Sequence, residues 1–208
     1  SGGPFLKKSI NKIRLVDALN HPNWKMGKKI SIDSATMMNK VFEIIEAKNI
    51  FNISYNKLDI LTHPSSYIHA ILKFKDGLTT IIIHDTTMKI PIHNTLYSNE
   101  NKIYNSKKLD LKILNNLSLK KIDKKKFPLV KIINKIPNKI SLFETVIVTA
   151  NDKLVESYLQ GKIKFNEIHI RLLKFLDNKE FKKYKRIKPK KIENIINLSK
   201  YVRLKMKL

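Results

Sequence analysis

Between Lys28 and Ala47 the sequence reads KKISIDSATMMNKVFEIIEA, and this run constrains the fold more than any other. A short β-like segment leads through Asp33-Ser34 into a helix, with Ser34 at the capping position. Met38, Val41, Phe42 and Ile45 recur at i, i+3, i+4 and i+7, one apolar stripe to bury. Asn39, Glu43 and Glu46 recur at i, i+4 and i+7 on the neighbouring face, with Lys40 beside them. A hydroxyl at a helix start, followed by an amide and an ammonium in the first turns, suits a phosphate, because the terminal N–H groups point outward and the dipole adds about half a positive charge. A carboxylate one turn on can hold a divalent cation next to that ligand. A capped amphipathic helix with a merely solvated polar face fits the same pattern, so periodicity alone leaves both readings open.

Two loops precede this run. Ser1 to Phe5, SGGPF, combines two glycines with Pro4, which stops a strand or helix and lets the backbone approach a ligand closely. His21 to Gly27, HPNWKMG, is a loop bounded by Pro22 and Gly27 that carries the sole tryptophan, Trp24. A Trp and a Met in such a loop serve either as core pegs or as a mobile lid. Asn11 to Asn20 between the loops has the spacing of a short helix.

Downstream, Leu58 to Thr62, Tyr67 to Phe74 and Leu78 to His84 read as strands, the last two joined through Asp76-Gly77 as a hairpin. His63, His69 and His84 lack any local metal-ligand spacing. Residues 99–126 are polar and rich in Lys and Asn, as in a linker. From Phe127-Pro128 onward four segments have helical spacing: Leu129 to Ile136, Leu142 to Leu159 stopped by Gly161, Asn166 to Leu176 capped by Asn166, and Lys190 to Lys205. In the last of these Ile192, Ile195, Ile196, Ser199 and Val202 form the repeating stripe. The expected fold class is α/β, a mixed sheet with flanking helices over residues 1–98, then a linker over 99–126 and a small helical bundle over 127–208.

The net charge of +25 raises the question of a polyanionic partner. The excess is spread along the whole chain, accompanied by abundant Ile and Asn, and no nucleic-acid recognition motif occurs, so nucleic acid is not the expected partner. There is no cysteine, which excludes disulfides and thiolate metal sites. No apolar run is long enough for a membrane helix, so no membrane partner is expected, and the expected location is the cytoplasm, or an organelle stroma if a transit peptide lies upstream. A start at Ser1-Gly2-Gly3 without Met is expected of a piece of a longer protein.

Taken together and in order, SGGPF, HPNWKMG and DSATMMNK followed by Glu43 resemble the signature of the 1-deoxy-D-xylulose 5-phosphate reductoisomerase family. His63, Pro64, Ser66, Ile68 and His69 match a further H-P-x-S-x-I-H segment of that family, and Ala150-Asn151-Asp152 stands for its A-N-E. The resemblance implies an enzyme that isomerises and reduces a sugar phosphate with NADPH and Mg2+ or Mn2+, working as a homodimer paired through the sheet domain. It implies that Ser1, Ser34, Asn39 and Lys40 hold the phosphate and nearby hydroxyls, and that His21 contacts the substrate. Trp24 and Met26 would cover it as a flap, and Gly27 would lie against the cofactor. Glu43 would touch both substrate and metal, making Glu43 and His21 the catalytic candidates. Several features depart from the family. Val41 replaces a Gly and is expected to narrow the pocket. Thr86-Thr87 replaces Pro-Asp ahead of Met88. No G-x-G-x-x-G unit and no acidic D-x-E pair occurs in the sequence, so the chain by itself is expected not to catalyse the full reaction. A non-catalytic relative acting as an interaction module and a basic nucleic-acid-binding protein are the alternatives.

Overall fold

The computed structural model describes residues 13–19 and 26–206. Its helices are α1 (Leu15–Leu19), α2 (Lys28–Ala35), α3 (Met38–Phe51), α4 (Lys89–Leu96), α5 (Leu111–Asn115), α6 (Phe143–Leu159), α7 (Phe165–Leu176), α8 (Lys179–Lys182) and α9 (Ile192–Lys205). The strands are β1 (Leu61–Thr62), β2 (Ile68–Lys73), β3 (Thr79–Ile83) and β4 (Lys120–Lys121), and 3-10 turns occupy Tyr55–Lys57, Pro128–Lys135 and Lys183–Arg186. The α/β class is as expected. Its strands are two antiparallel pairs, β1 with β4 and β2 with β3.

The chain folds into two compact units. Within the described residues, the first comprises 13–19, 26–60 and 122–206, and the second is built from 61–121. This division does not follow the boundaries expected at 98 and 126, because α2 and α3 pack with the C-terminal helices in one core. The supposed linker contains α5, capped by the Asp110 side chain, which accepts the Lys112 and Ile113 N–H groups. It also contains β4, whose Lys121 pairs with Leu61 where the chain enters and leaves the second unit.

Helix α6 is the axis of the first unit. Phe143, Ile147, Ala150 and Leu154, at helical spacing, are all fully buried, and each large side chain so placed contributes about 1.5–3 kcal/mol. The helix packs against α2, α7 and α9. It ends as the sequence indicates: Gly161 takes a φ of +73°, while Lys162 N–H donates to Ser157 O and Gly161 N–H to Tyr158 O, both at 2.9 Å. That is a Schellman stop, which needs a residue free to turn left-handed.

Several local expectations are overturned. Lys28 to Asp33 is helical, not β-like: the Lys29–Asp33 ion pair spans one turn, and burial of Ile32 and Ala35 three residues apart rewards the helical period. Ser34 therefore lies in the last turn of α2 and caps nothing. The two helices meet at Thr36-Met37, where Met37 adopts φ +64°, and α3 begins without a side-chain cap in the usual position. Asn166 is inside α7; the cap residue is Lys164, whose N–H is bound by Glu167. In α9, Val202 of the expected stripe is buried, but Ile192, Ile195 and Ile196 are exposed and Leu198, outside that stripe, is buried. Its packing face is rotated from the isoleucine stripe.

In the second unit the Asp76-Gly77 hairpin forms as expected. Gly77 has φ +94°, and the Asp76 carboxylate accepts Leu78 N–H at 3.0 Å, the turn chemistry that positive φ and an Asx side chain provide. The hairpin side chains Ile71, Leu72, Ile81 and Ile82 are all exposed. None of the helices is long and apolar enough to cross a membrane among the described residues.

Candidate functional site

The polar face of α3 carries the candidate site. Glu43 accepts the Asn39 Nδ2–H at 2.7 Å through Oε1 and the Lys40 ammonium at 2.5 Å through Oε2. Helical spacing of three and four residues brings the three groups together. They are partly exposed: the Lys40 and Glu43 side chains keep 28% and 44% of their surface, so a solute can reach both. The other side of α3 is anchored by Met38 and Val41, which are fully buried. Val41, expected to narrow the pocket, is committed to the core and does not join the polar trio.

The structure thus unites Asn39, Lys40 and Glu43. Ser34 is buried at the end of α2, beyond the left-handed residue Met37. Met26 is half-buried. Gly27 precedes α2 with φ −63° and ψ 159°, and a Cβ there would meet nothing within 4 Å, so protein packing gives no reason for a glycine. Ser1, His21 and Trp24 lie outside the described residues. At the Thr86-Thr87 departure, the Thr87 hydroxyl accepts Lys89 N–H at 3.3 Å, which keeps an oxygen acceptor at the start of α4.

Sequence reasoning missed a second polar group, at the contact of α2 with α6. Asp33 is 2% exposed and Asn151 0%. Asn151 Nδ2–H donates to Asp33 Oδ1 at 2.8 Å, and Lys29 Nζ lies 2.7 Å from Asp33 Oδ2 and 3.0 Å from Asp152 Oδ1. Burial raises the Asp33 carboxyl above the usual carboxylate range, and the bonds from Lys29 and Asn151 recover part of that cost. Burial works to lower the Lys29 ammonium as well, but the hydrogen bonds and charges of Asp33 and Asp152 outweigh it and hold the group above its ordinary value. The signal for this group was Asn151-Asp152, a polar pair in the middle of an apolar helical stretch.

Glu43 is the metal-ligand candidate on α3. Among the described residues no three His, Cys, Asp or Glu side chains converge as metal ligands. Glu43 supplies one hard oxygen donor, and a Mg2+ ion takes near-octahedral oxygen coordination with several waters. The described residues therefore fit one corner of such a site and not the whole.

A partly exposed helical face that sets an amide, an ammonium and a carboxylate side by side has the hydrogen-bonding groups that the class of small anionic, oxygen-rich solutes requires. Comparison with known proteins makes the class specific. Residues 1–51 match the family model described as the 1-deoxy-D-xylulose 5-phosphate reductoisomerase C-terminal domain, and residues 84–205 match that of the DXP reductoisomerase C-terminal domain. The chain belongs to the 1-deoxy-D-xylulose 5-phosphate reductoisomerase family. It is 58% identical over 209 aligned positions to the Pelagibacter ubique 1-deoxy-D-xylulose 5-phosphate reductoisomerase, covering 99% of this chain and 54% of that protein. It is 40% identical to the Persephonella marina enzyme of the same name, covering 96% of this chain and 53% of the relative. Among solved structures, a DOX-P reductoisomerase in complex with NADPH, fosmidomycin and magnesium superposes with a TM-score of 0.90 at 32% identity, over 99% of this chain and 52% of the other. The Zymomonas mobilis reductoisomerase in complex with NADPH gives a TM-score of 0.82 at 30% identity, covering 99% and 52% respectively. The chain spans about half the length of the relatives it matches.

Proposed function

We propose that this chain is the substrate-binding part of an NADPH- and divalent-metal-dependent reductoisomerase that converts 1-deoxy-D-xylulose 5-phosphate to 2-C-methyl-D-erythritol 4-phosphate, a step in isoprenoid precursor synthesis. The observation that carries this reading is the Asn39–Lys40–Glu43 trio on α3, in a chain whose relatives are reductoisomerases. The comparisons favour it over the interaction-module and nucleic-acid alternatives.

In this reading the residues divide the work by chemistry. Lys40 and Asn39 turn their N–H donors from Glu43 to the phosphate and adjacent hydroxyls, with Ser34 and Ser1 completing the grip. A charge-assisted hydrogen bond of this kind is worth roughly 1.5–3 kcal/mol. The Glu43 carboxylate, released from those donors, is free to meet the substrate and to serve as one ligand of a Mg2+ or Mn2+ ion. When bound, that ion supplies Lewis acidity to the keto and hydroxyl oxygens, and NADPH supplies hydride. His21 contacts the substrate, Trp24 and Met26 close over it to exclude water, and Gly27 leaves room for the cofactor. We place the remaining metal ligands and the NADPH-binding region in the length that the relatives have beyond this chain. A second copy, paired through the sheet, is the partner we assign to the exposed hairpin of β2 and β3, and the working compartment we assign is the cytoplasm.

The test is NADPH oxidation by the full-length protein with 1-deoxy-D-xylulose 5-phosphate and Mg2+ or Mn2+. Glu43→Gln is expected to abolish measurable turnover. Lys40→Ala is expected to raise KM about ten- to a hundredfold, the equivalent of one charge-assisted bond. A folded wild-type protein that does not turn over this substrate would overturn the assignment.

A further inference from the structure

The polar contact between α2 and α6 is an unexpected thing to find in a hydrophobic core. A buried carboxylate is costly, and replacing such a group with well-packed apolar side chains is often neutral or stabilising. Here the cost is borne by a carboxylate on α2 that is fully enclosed by partners from its own helix and from α6. Its place in the chain gives it a use. Asp33 lies at the end of α2, and its carbonyl oxygen shares the Thr36 hydroxyl proton at 3.3 Å with Ile32 O, which lies closer at 3.0 Å. The same hydroxyl accepts Met38 N–H at 3.4 Å, the first residue of α3. A hydrogen-bonded path therefore runs from Asn151 through Asp33 and Thr36 to the start of the helix that bears Asn39, Lys40 and Glu43. Lys29, tied to both Asp33 and Asp152, braces the same junction from the other side.

We propose that Asn151 is a positioning residue: by holding Asp33 it sets the turn between α2 and α3, and thereby the placement of Asn39, Lys40 and Glu43 relative to a bound sugar phosphate. Asp152 acts with it through Lys29. The kinetic consequence rests on the function proposed above, whereas the structural consequence does not.

The experiment uses the full-length protein with Asn151→Ala and, as a comparison in the same helix, Thr149→Val, which breaks the 3.1 Å bond from Thr149 to Ser199 on α9 and touches no part of this path. Amide hydrogen exchange is expected to show faster exchange at residues 36–43 in Asn151→Ala and not in Thr149→Val. Steady-state kinetics are expected to show KM for the sugar phosphate raised on the order of tenfold by Asn151→Ala, the scale of a small misplacement of a binding group, with KM unchanged in Thr149→Val. If Asn151→Ala does not fold, the exchange Asp33→Asn with Asn151→Asp restores one amide–carboxylate bond; it is expected to keep the protection that Asn151→Asp alone loses. Unchanged exchange at 36–43, or the same loss in both the single and the paired variant, would overturn the proposal. So would a wild type that turns over normally beside an Asn151→Ala variant with altered exchange and unaltered KM and kcat. If the wild type has no turnover at all, the functional reading fails, and the exchange data alone decide whether Asn151 sets the junction.

Discussion

Met37 shows at the residue scale what the junction demands. Its φ of +64° belongs to a region that costs an L-residue about 1–2 kcal/mol, yet its side chain is fully buried, so packing outweighs backbone strain. Met38 is equally buried but lies within α3. Truncating either to Gly removes a core side chain, but Met37→Gly relieves strain while Met38→Gly adds a helix penalty of about 1 kcal/mol. Urea unfolding is expected to find Met37→Gly less destabilising than Met38→Gly by about 2 kcal/mol; equal losses would mean that position 37 bears no strain. None of this was legible in the letters. Asp33-Ser34 followed by a periodic stripe is the written form of a helix start, and a methionine carries no mark of a left-handed backbone. Asn39, Lys40 and Glu43 were legible because their spacing alone brings them together, whereas Asp33 needed a partner 118 residues away.

Elements whose ends are written locally matched expectation best. Asp76-Gly77 and Gly161 each mark a positive φ that few other residues tolerate, so the hairpin and the stop of α6 could be placed from sequence. The isoleucines of α9 could not, because which stripe is buried depends on the neighbours that arrive to cover it. Helix α7 carries a testable electrostatic consequence. His169 is partly buried there, and loss of hydration holds its imidazole below the ordinary value of 6.5. The folded state thus favours the neutral ring, and its contribution to stability is complete above pH 6.5 and is lost as pH falls through the lower folded value. Thermal unfolding measured across that acid range is expected to decline less steeply in His169→Gln than in wild type. An identical decline in both would show that the ring is as well hydrated folded as unfolded.

For the whole molecule, the pairing of Leu61 with Lys121 makes the second unit an insertion with adjacent ends. A loop of about sixty residues costs roughly 3–4 kcal/mol in closure entropy beyond a constant, and a short turn costs about 1. Replacing residues 61–121 by a four-residue turn is therefore expected to leave a first unit that unfolds in one cooperative transition with its helical circular dichroism intact; a non-cooperative melt would show that this core is not independent. The same arrangement dictates an order of events on the ribosome. Asp33 is made long before Asn151, and at about 5–20 residues per second the nascent chain must carry that carboxylate for on the order of ten seconds before the amide that receives it exists. Until then the segment joining α2 to α3 has its own charges but not its final support, which arrives only 118 residues later.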